Sequence, residues 1–408
     1  MNNPQLRRDI QAVSITMDGR QMITFVDPLK LAQEGFAIDR RMASLLQMLD
    51  GTNDLRDIQM GLMRLTGGTI VPLSEVEAFI GQLDSYFLLE SEAFGRKKTD
   101  LMEGFARKTE REAMLAGKSY EADPEKLRRF ITDTEEQLAP FPAEGNGEIA
   151  GILAPHIDIG VARQAYVDVY RRLKGHCFDL IVIFGINHQH QGREGLFSIT
   201  GKDYLTPFGR METDREFAAA LKDGLPDGTI AAYDFDHMME HSIEFQTVFL
   251  AHYLGNKAKI VPVLCSGIHE FLASGNDPLR DQRFLAFRDA MGRIIRERGG
   301  KILFVSGVDF SHIGPKFGHS VPAEALLGRA RANDELIISH LIAAKPEEIY
   351  ANALATQDQY NVCGLASMMI FTSLIGPCRA ELLHHGTYDE PATRSAVTYA
   401  SMIFSRCE

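Results

Sequence analysis

The length and charge of the chain exclude several classes of protein before any motif is read. At 408 residues it is too long for one ordinary hydrophobic core, which predicts two domains. A formal net charge of −12 argues against a nucleic-acid partner. No stretch approaches the ~18 apolar residues of a membrane helix, and the first residues do not resemble a signal peptide. Five scattered cysteines without CxxC spacing are typical of a protein from a reducing cytoplasm.

The first 92 residues are predicted to form a small α+β domain. Residues 11–27 have the pattern of a β-hairpin with its turn at Asp18-Gly19. Three short helices are predicted over residues 39–46, 55–65 and 74–87, the last with Ser74 and Glu77 as a capping box. Two or three strands with three helices indicate a winged-helix-like module. All thirteen histidines follow residue 150, so this domain is expected either to bind a partner or to be a plain packing domain.

A charged and helical linker is predicted over residues 93–110, and an α/β domain over residues 111–408. Continuous apolar runs, which are typical of strands buried on both faces, occur at residues 151–154, 180–185, 259–264 and 301–305. Helical patterns separate these runs. The alternation predicts a mostly parallel central sheet flanked by helices.

Histidines follow the predicted strands of this domain. His156 comes directly after Pro155, which should end the first strand, because proline cannot donate to a sheet ladder. His188, His312 and, a little later, His269 follow the other three strands. Ligands of such sheets bind beyond the carboxyl ends of the strands. The sequence therefore predicts a site at this edge, with His156 and His188 as the best metal-ligand candidates.

The third ligand is harder to find from spacing. Cys363 lies at a turn before an apolar helix, and a helix start favours the thiolate form that binds metal. A buried and inert cysteine is an equally good interpretation of the residues alone.

Several blocks together resemble one known family in the same order along residues 111–408. The blocks are Arg111 to Tyr120, Ala154-Pro155-His156, Gly185 to His188, Thr206 to Gly209, Glu240 to Glu244, Asp309 to His312 and Val362-Cys363-Gly364. They resemble the MEMO family, also called AmmeMemoRadiSam system protein B. That resemblance implies the fold of class III extradiol dioxygenases and a site of two histidines and a cysteine, here His156, His188 and Cys363. The opening hairpin and Asp50-Gly51-Thr52 resemble PqqD-like domains, which bind peptides in peptide-modifying systems.

The resemblance implies a mononuclear Fe(II) or copper oxidoreductase, dioxygenase-like, acting on a small molecule or a peptide, with zinc as a third metal. A thiolate in place of a carboxylate makes the site softer, which favours iron or copper over magnesium. The alternative is a non-catalytic module that binds a peptide or protein in the same crevice. A radical-SAM system protein is the partner that the resemblance implies.

Four further residues are candidates for proton transfer in such chemistry. Glu240, His241, Asp309 and His312 lie in the matched blocks, and histidine is best suited to exchange protons near neutral pH. The alternative is that these residues only tie loops together. The chain departs from the family after His156, where Ile157-Asp158-Ile159 replaces the usual Ala-Gly-Tyr. His190 adds an imidazole close to His188.

Overall fold

The computed structural model describes residues 2–27, 29–33, 35–141, 147–188 and 195–406. Within these ranges no helix is long and apolar enough to cross a membrane. The chain divides into two compact units, Met1–Arg107 and Lys108–Glu408.

The smaller unit has a three-stranded antiparallel sheet and four α-helices within its described residues. Its elements are β1 (Gln11–Met17), β2 (Arg20–Val26), β3 (Ala37–Asp39), α1 (Ala43–Gln47), α2 (Leu55–Leu65), α3 (Leu73–Ser85) and α4 (Glu92–Ala106). The strand order is β1-β2-β3, so β1 is an edge strand. The predicted hairpin is confirmed, and Asp18 and Gly19 take the positive φ angles that its two-residue turn requires.

The core of the smaller unit forms around α3, and one local prediction there is wrong. Val76, Ile80 and Leu83 are buried on one face of α3. The helix begins at Leu73, directly after Pro72, and has no side-chain cap, so the predicted capping box at Ser74 does not form.

The segment expected to be a helical linker is α4, in which Phe94 is buried.

The larger unit is an α/β fold. Its elements are β4 (Glu110–Arg111), α5 (Pro124–Glu136), β5 (Ile149–Ala154), α6 (Arg163–Arg171), β6 (Leu180–Ile186), β7 (Phe197–Ile199), β8 (Asp203–Thr206), β9 (Gly209–Met211), α7 (Arg215–Lys222), α8 (Ser242–Leu254), β10 (Lys259–Cys265), α9 (His269–Ser274), α10 (Gln282–Arg298), β11 (Ile302–Gly307), β12 (His312–Ile313), α11 (Leu327–Ile342), α12 (Pro346–Thr356), α13 (Leu365–Ile375), β13 (Cys378–Glu390) and β14 (Ser395–Arg406).

Eight of these strands form one central sheet in the order β12-β14-β5-β11-β6-β10-β7, with β13 paired to the other side of β14. Strands β5, β11, β6 and β10 are mutually parallel and correspond to the four predicted apolar runs. Alternate side chains of β6 enter different cores: Val182 packs on the face covered by α10, α11 and α13, and Ile183 on the face covered by α5, α6 and α8.

The predicted α/β class is confirmed, and the sheet as a whole is mixed. β14 pairs antiparallel with β5, β12 and β13, and β7 pairs antiparallel with β10. β13 was not predicted, because its sequence alternates charged, histidine and apolar residues and it is only half-buried at the edge of the sheet.

Candidate metal centre

Three elements bring the predicted metal ligands together. His156 follows β5 and His188 follows β6, while Cys363 lies just before α13. One ligand atom of each residue lies within 4.8 Å of those of the other two, and His156 Nε2 lies 3.5 Å from Cys363 Sγ. The parallel strands thus deliver both imidazoles to the same edge of the sheet, as expected.

A glycine permits the approach of the cysteine. A Cβ atom on Gly364 would lie 2.7 Å from Val308 Cβ and 2.9 Å from the Asp309 carbonyl oxygen. Cβ atoms essentially never make contacts this short, so any larger residue would push the start of α13 away from the end of β11. The Val362-Cys363-Gly364 block therefore has a steric reason for its glycine.

His156 is held as a neutral imidazole whose unprotonated Nε2 lies next to Cys363 Sγ. Its side chain is buried, and Nδ1 lies 2.9 Å from the Gly307 carbonyl oxygen, which must accept a hydrogen bond from it. Its backbone N–H donates to Asp309 Oδ1 at 3.0 Å. Burial lowers the pKa of His156 well below its usual value, and the neighbouring His188 and His241 lower it further.

Glu240 lies behind two imidazoles and orients both. Its side chain is 1% exposed, and its carboxylate accepts backbone N–H bonds from His188, His241 and Ser242. It also lies 3.1 Å from His188 Nδ1 and 3.2 Å from His241 Nδ1. Hydrogen bonds of this kind place the imidazole protons on Nδ1 and leave both Nε2 lone pairs free.

The pKa values of Glu240 and His188 are shifted in opposite directions. Burial alone would raise the pKa of Glu240, but His188 and His241 outweigh it and hold that pKa well below its usual value. Burial alone would lower the pKa of His188, but the Glu240 carboxylate outweighs it and raises that pKa. The carboxylate therefore stays ionised and in place beside both rings.

The Cys363 thiol behaves differently from the sequence expectation. Burial raises its pKa well above the usual value, and the charge of Asp309 raises it further. These influences outweigh the favourable position near the start of α13. Without a metal the group is therefore a protonated thiol, and ligation requires it to lose that proton.

The donor set fits a transition-metal ion. Two imidazole Nε2 lone pairs and one sulfur converge, and each histidine has a hydrogen bond on Nδ1 that fixes its ring. Imidazole and thiolate are ligands that iron, copper and zinc accept, while magnesium and calcium prefer oxygen. Three protein ligands leave coordination positions open, which is characteristic of catalytic sites.

Asp309 and His312 complete the set of predicted site residues. Asp309 Oδ2 lies 3.6 Å from His156 Nε2, and burial raises the pKa of this carboxyl. His312 Nδ1 lies 3.0 Å from the Phe310 carbonyl oxygen, which again leaves Nε2 free, and burial lowers the pKa of the ring. The structure thus brings all seven predicted residues into one region. Their chemical roles stay predictions.

A cleft of about 560 Å³ opens over two of the candidate ligands, His156 and His188. Its lining combines the imidazoles with apolar walls and a polar rim, formed by Leu115, Ser119, His156, Ile157, Asp158, Val161, His188, His241, Phe245, Asp309, His312, Lys316, Phe317, Tyr388, Glu390 and Val397. At the rim, Lys316 Nζ pairs with the Glu390 carboxylate at 3.0 Å.

Some lining residues were missed by sequence reasoning. Tyr388 and Glu390 lie on β13, which was not predicted, and Lys316 lies in a loop without a recognisable pattern. Asp158, the departure from the family pattern, is exposed at the cleft. His269 begins α9 after a bend that follows β10. Among the described residues it therefore does not line the cleft, and β10 contributes no histidine to the site. His190 lies outside the described residues.

A buried ion pair that supports the cleft was also missed. Arg111 pairs with the Glu244 carboxylate, and both side chains are fully buried. Arg111 also donates to the Glu240 carbonyl oxygen at 2.7 Å, while Glu244 accepts from Tyr120 Oη at 2.6 Å and from Leu115 N at 2.8 Å. The sequence did contain a sign of this ion pair, because Arg111, Tyr120 and Glu244 all lie in the blocks that resemble the family.

Comparison with known proteins gives a consistent result. The Memo-like protein family matches residues 111–403. A MEMO1 family protein of Aquifex aeolicus is 30% identical over 391 residues, which are 93% of this chain and 94% of that one. MEMO1 family proteins of Methanopyrus kandleri and Thermococcus kodakarensis are 28% and 29% identical, and the matches cover 73% and 72% of this chain but 99% and 98% of those relatives. The Aquifex relative therefore matches along nearly the whole chain, whereas these archaeal relatives are shorter.

Proposed function

The chain belongs to the Memo-like protein family, and we propose that it is a metal-dependent oxidoreductase in which His156, His188 and Cys363 hold one iron or copper ion. The observation that carries this proposal is the convergence of these three donors, within 4.8 Å of one another, beside an open cleft that His156 and His188 line. Zinc is the third metal that this donor set accepts. When bound, an iron or copper ion supplies electron transfer and open coordination positions for dioxygen or a substrate.

The side chains around the donors supply proton transfer. His241 and His312 both line the cleft with Nδ1 engaged by the protein and Nε2 free. A neutral imidazole held in this way can take a proton from a substrate group and return it. Glu240 orients His241 and His188 and touches the cleft only through them, so it is a positioning residue in this scheme.

The cleft lining supports a substrate with an apolar body and a polar end. Phe245, Phe317 and Val397 offer apolar surface, while the Lys316–Glu390 pair provides charge at the rim. A small molecule or the end of a peptide has this character. The class III dioxygenase-like chemistry implied by the family resemblance belongs to this proposal, with catechols and thiols as the first substrates to test.

Metal analysis tests the proposal. Protein purified without chelator is expected to contain about one transition-metal ion per chain, and His156→Ala, His188→Ala and Cys363→Ala are each expected to lose it. Cys378→Ala and His190→Ala are the controls and should retain the ion. Wild-type protein that binds neither iron nor copper at one equivalent would contradict the proposal, and a Cys363→Ser variant that binds as tightly as wild type would contradict the thiolate assignment.

A second candidate function is a binding module that works without a metal. The cleft lining favours it, because apolar side chains beside a charged rim also suit the side chains and the backbone of a peptide. This function predicts that ligand affinity is unchanged when His156 is replaced by alanine. The oxidoreductase proposal predicts loss of dioxygen consumption in that variant.

A further inference from the structure

Two loops that contribute residues to the candidate site are joined by hydrogen bonds. One loop, residues 357–364, carries Cys363. The other, residues 312–319, carries the cleft residues His312, Lys316 and Phe317. Neither loop has a long regular element of its own, so the contacts between them contribute to holding each loop in place.

The side chain of Asn361 makes two of these contacts. Its Nδ2 donates to the carbonyl oxygen of His312 at 3.1 Å and to that of Phe317 at 3.2 Å. The backbone adds a bond from His312 N to the Tyr360 carbonyl oxygen at 2.7 Å. His319 Nε2 lies 2.8 Å from the Gln359 carbonyl oxygen and donates to it. Asn361 is thus the side chain that reaches both ends of the segment containing the cleft residues.

The backbone of Asn361 explains why this residue type occurs here. Its φ angle is +49°, in the left-handed region that asparagine tolerates better than most residues. The turn just before it, at Gln357 and Asp358, also has positive φ angles. Asn361 therefore serves two separate purposes that can be tested separately: a backbone conformation, and a side-chain amide that donates twice.

We propose that Asn361 is a positioning residue that holds the Cys363 loop and the His312 loop as one unit. The thiol ligand and the cleft wall then keep a fixed spacing, so that metal affinity and cleft geometry depend on the same amide. The proposal rests on the proposed function only in treating Cys363 as a metal ligand.

Two variants separate the amide from the backbone conformation. Asn361→Gly tolerates the positive φ angle and removes the amide. Asn361→Asp keeps the size of the side chain but places carboxylate oxygens against two carbonyl oxygens. Asn256→Asp is the matched control, because Asn256 Nδ2 also donates to a backbone carbonyl, that of Phe208, at 3.1 Å and away from the cleft. Circular dichroism and the thermal midpoint establish that each variant is folded.

The decisive measurements use metal-free protein. Hydrogen exchange over residues 312–319 and the rate of iodoacetamide labelling at Cys363 should both rise about tenfold in Asn361→Gly and Asn361→Asp, the opening expected from the loss of one or two hydrogen bonds. Asn256→Asp should change neither, and the exposed Cys177 provides the reference rate within each sample. Unchanged exchange over 312–319 in Asn361→Gly would mean that Asn361 serves only the turn, and would overturn the proposal.

A second measurement uses Co(II) as the probe. Both Asn361 variants should bind Co(II) about tenfold or more weakly than wild type and should show a weakened thiolate-to-cobalt absorption band. Unchanged Co(II) affinity in both would also overturn the proposal. If wild-type protein itself gives no thiolate band, the proposed metal function fails, while the exchange and labelling rates still decide the role of Asn361.

Discussion

At the scale of single residues, the site is built by fixing one nitrogen of each imidazole. His156 and His312 donate from Nδ1 to backbone carbonyl oxygens, while His188 and His241 share the Glu240 carboxylate. A carbonyl oxygen can only accept, so it fixes the tautomer, and an ionised carboxylate has the same effect. These acceptors therefore set all four imidazoles to the same tautomer, with the proton on Nδ1.

Metal affinity is expected to rise with pH. The pKa of the Cys363 thiol is raised, so at about pH 6 to 8 it is protonated and ligation releases one proton, which gives about a tenfold gain in affinity per pH unit. The pKa of His188 is also raised. Below that pKa, metal binding displaces a second proton, from the His188 ring, so metal affinity depends more steeply on pH there. His156, whose pKa is lowered, contributes no proton in this range.

Competition titrations with a chromophoric chelator at several pH values measure this dependence. The Cys363→Ser variant should bind metal more weakly, and its metal affinity should no longer rise with pH at the upper end of this pH range. A pH-independent affinity in wild-type protein would show that the thiol does not ligate.

The neighbours Glu240 and His241 are expected to differ in their effects. His241→Ala should bind metal within a few-fold of wild type and lose turnover by about 10²- to 10⁴-fold, because it removes a proton-transfer group. Glu240→Gln should weaken metal binding by about 10- to 100-fold, because it removes the carboxylate that orients His188. Metal titration and dioxygen uptake with a catechol or a thiol measure the two effects. Turnover retained in His241→Ala would exclude that residue as the acid or base.

At the scale of elements, the start of the larger unit is tied to the cleft wall. Arg111 on β4 reaches the segment before α8 and the Glu244 carboxylate on α8, and Glu244 accepts from Leu115 N in turn. Leu115 and His241 both line the cleft. One buried ion pair therefore helps to fix the positions of two segments that line it.

Removal of this ion pair should be costly. Arg111→Met leaves the Glu244 carboxylate buried without its cation, which should lower the free energy of unfolding by about 3–5 kcal/mol. Arg293→Met is the control, because Arg293 pairs with Glu297 on the exposed surface of α10, where such a pair contributes about 0–1 kcal/mol. Urea denaturation compares the two variants. Equal losses would show that the buried pair has no special role.

The elements that could be predicted are those whose pattern is set by burial. The apolar runs ending at His156, His188 and Asp309 are buried on both faces, so their sequences predicted strands and the edge at which the site lies. β13 could not be predicted in this way, because an edge strand is only half-buried and its alternation of charged and apolar residues carries little signal.

Local electrostatics were less predictable than strands. The raised pKa of Cys363 depends on burial and on Asp309, which is 54 positions away in sequence. The helix α3 has no side-chain cap, although Ser74 and Glu77 have the spacing of a capping box. Contacts decided in three dimensions determine both features.

At the scale of the whole molecule, the two units differ in composition. The smaller unit lacks histidine and cysteine, while all the candidate ligands lie in the larger one. The edge strand β1 has exposed Val13 and Met17, and an exposed edge can pair with an extended peptide. We propose that the smaller unit binds a peptide there, and a radical-SAM system protein is the partner that the family resemblance implies.

Separate expression tests the division of roles. Residues 1–107 are expected to fold alone and to bind a peptide or a segment of a partner, while residues 108–408 fold alone and bind one metal ion as the whole chain does. Far-ultraviolet circular dichroism, metal analysis and peptide titration by calorimetry measure these properties. If residues 108–408 aggregate unless residues 1–107 are present, the smaller unit is a packing domain, which would contradict the proposal that it binds a peptide.

The separation of the ligands along the chain has a consequence for biosynthesis. His156 and Cys363 are 207 residues apart, and β5, which leads to His156, lies in the sheet between β11 and β14. A ribosome releases the amino-terminal part first, so β5 and β6 emerge as apolar segments long before their partners exist. The smaller unit can be complete by then, whereas the larger one lacks a strand of its central sheet until β14, near residue 400, has been made. On the proposed function, the metal ion would therefore enter only after Cys363 and β14 have been synthesised.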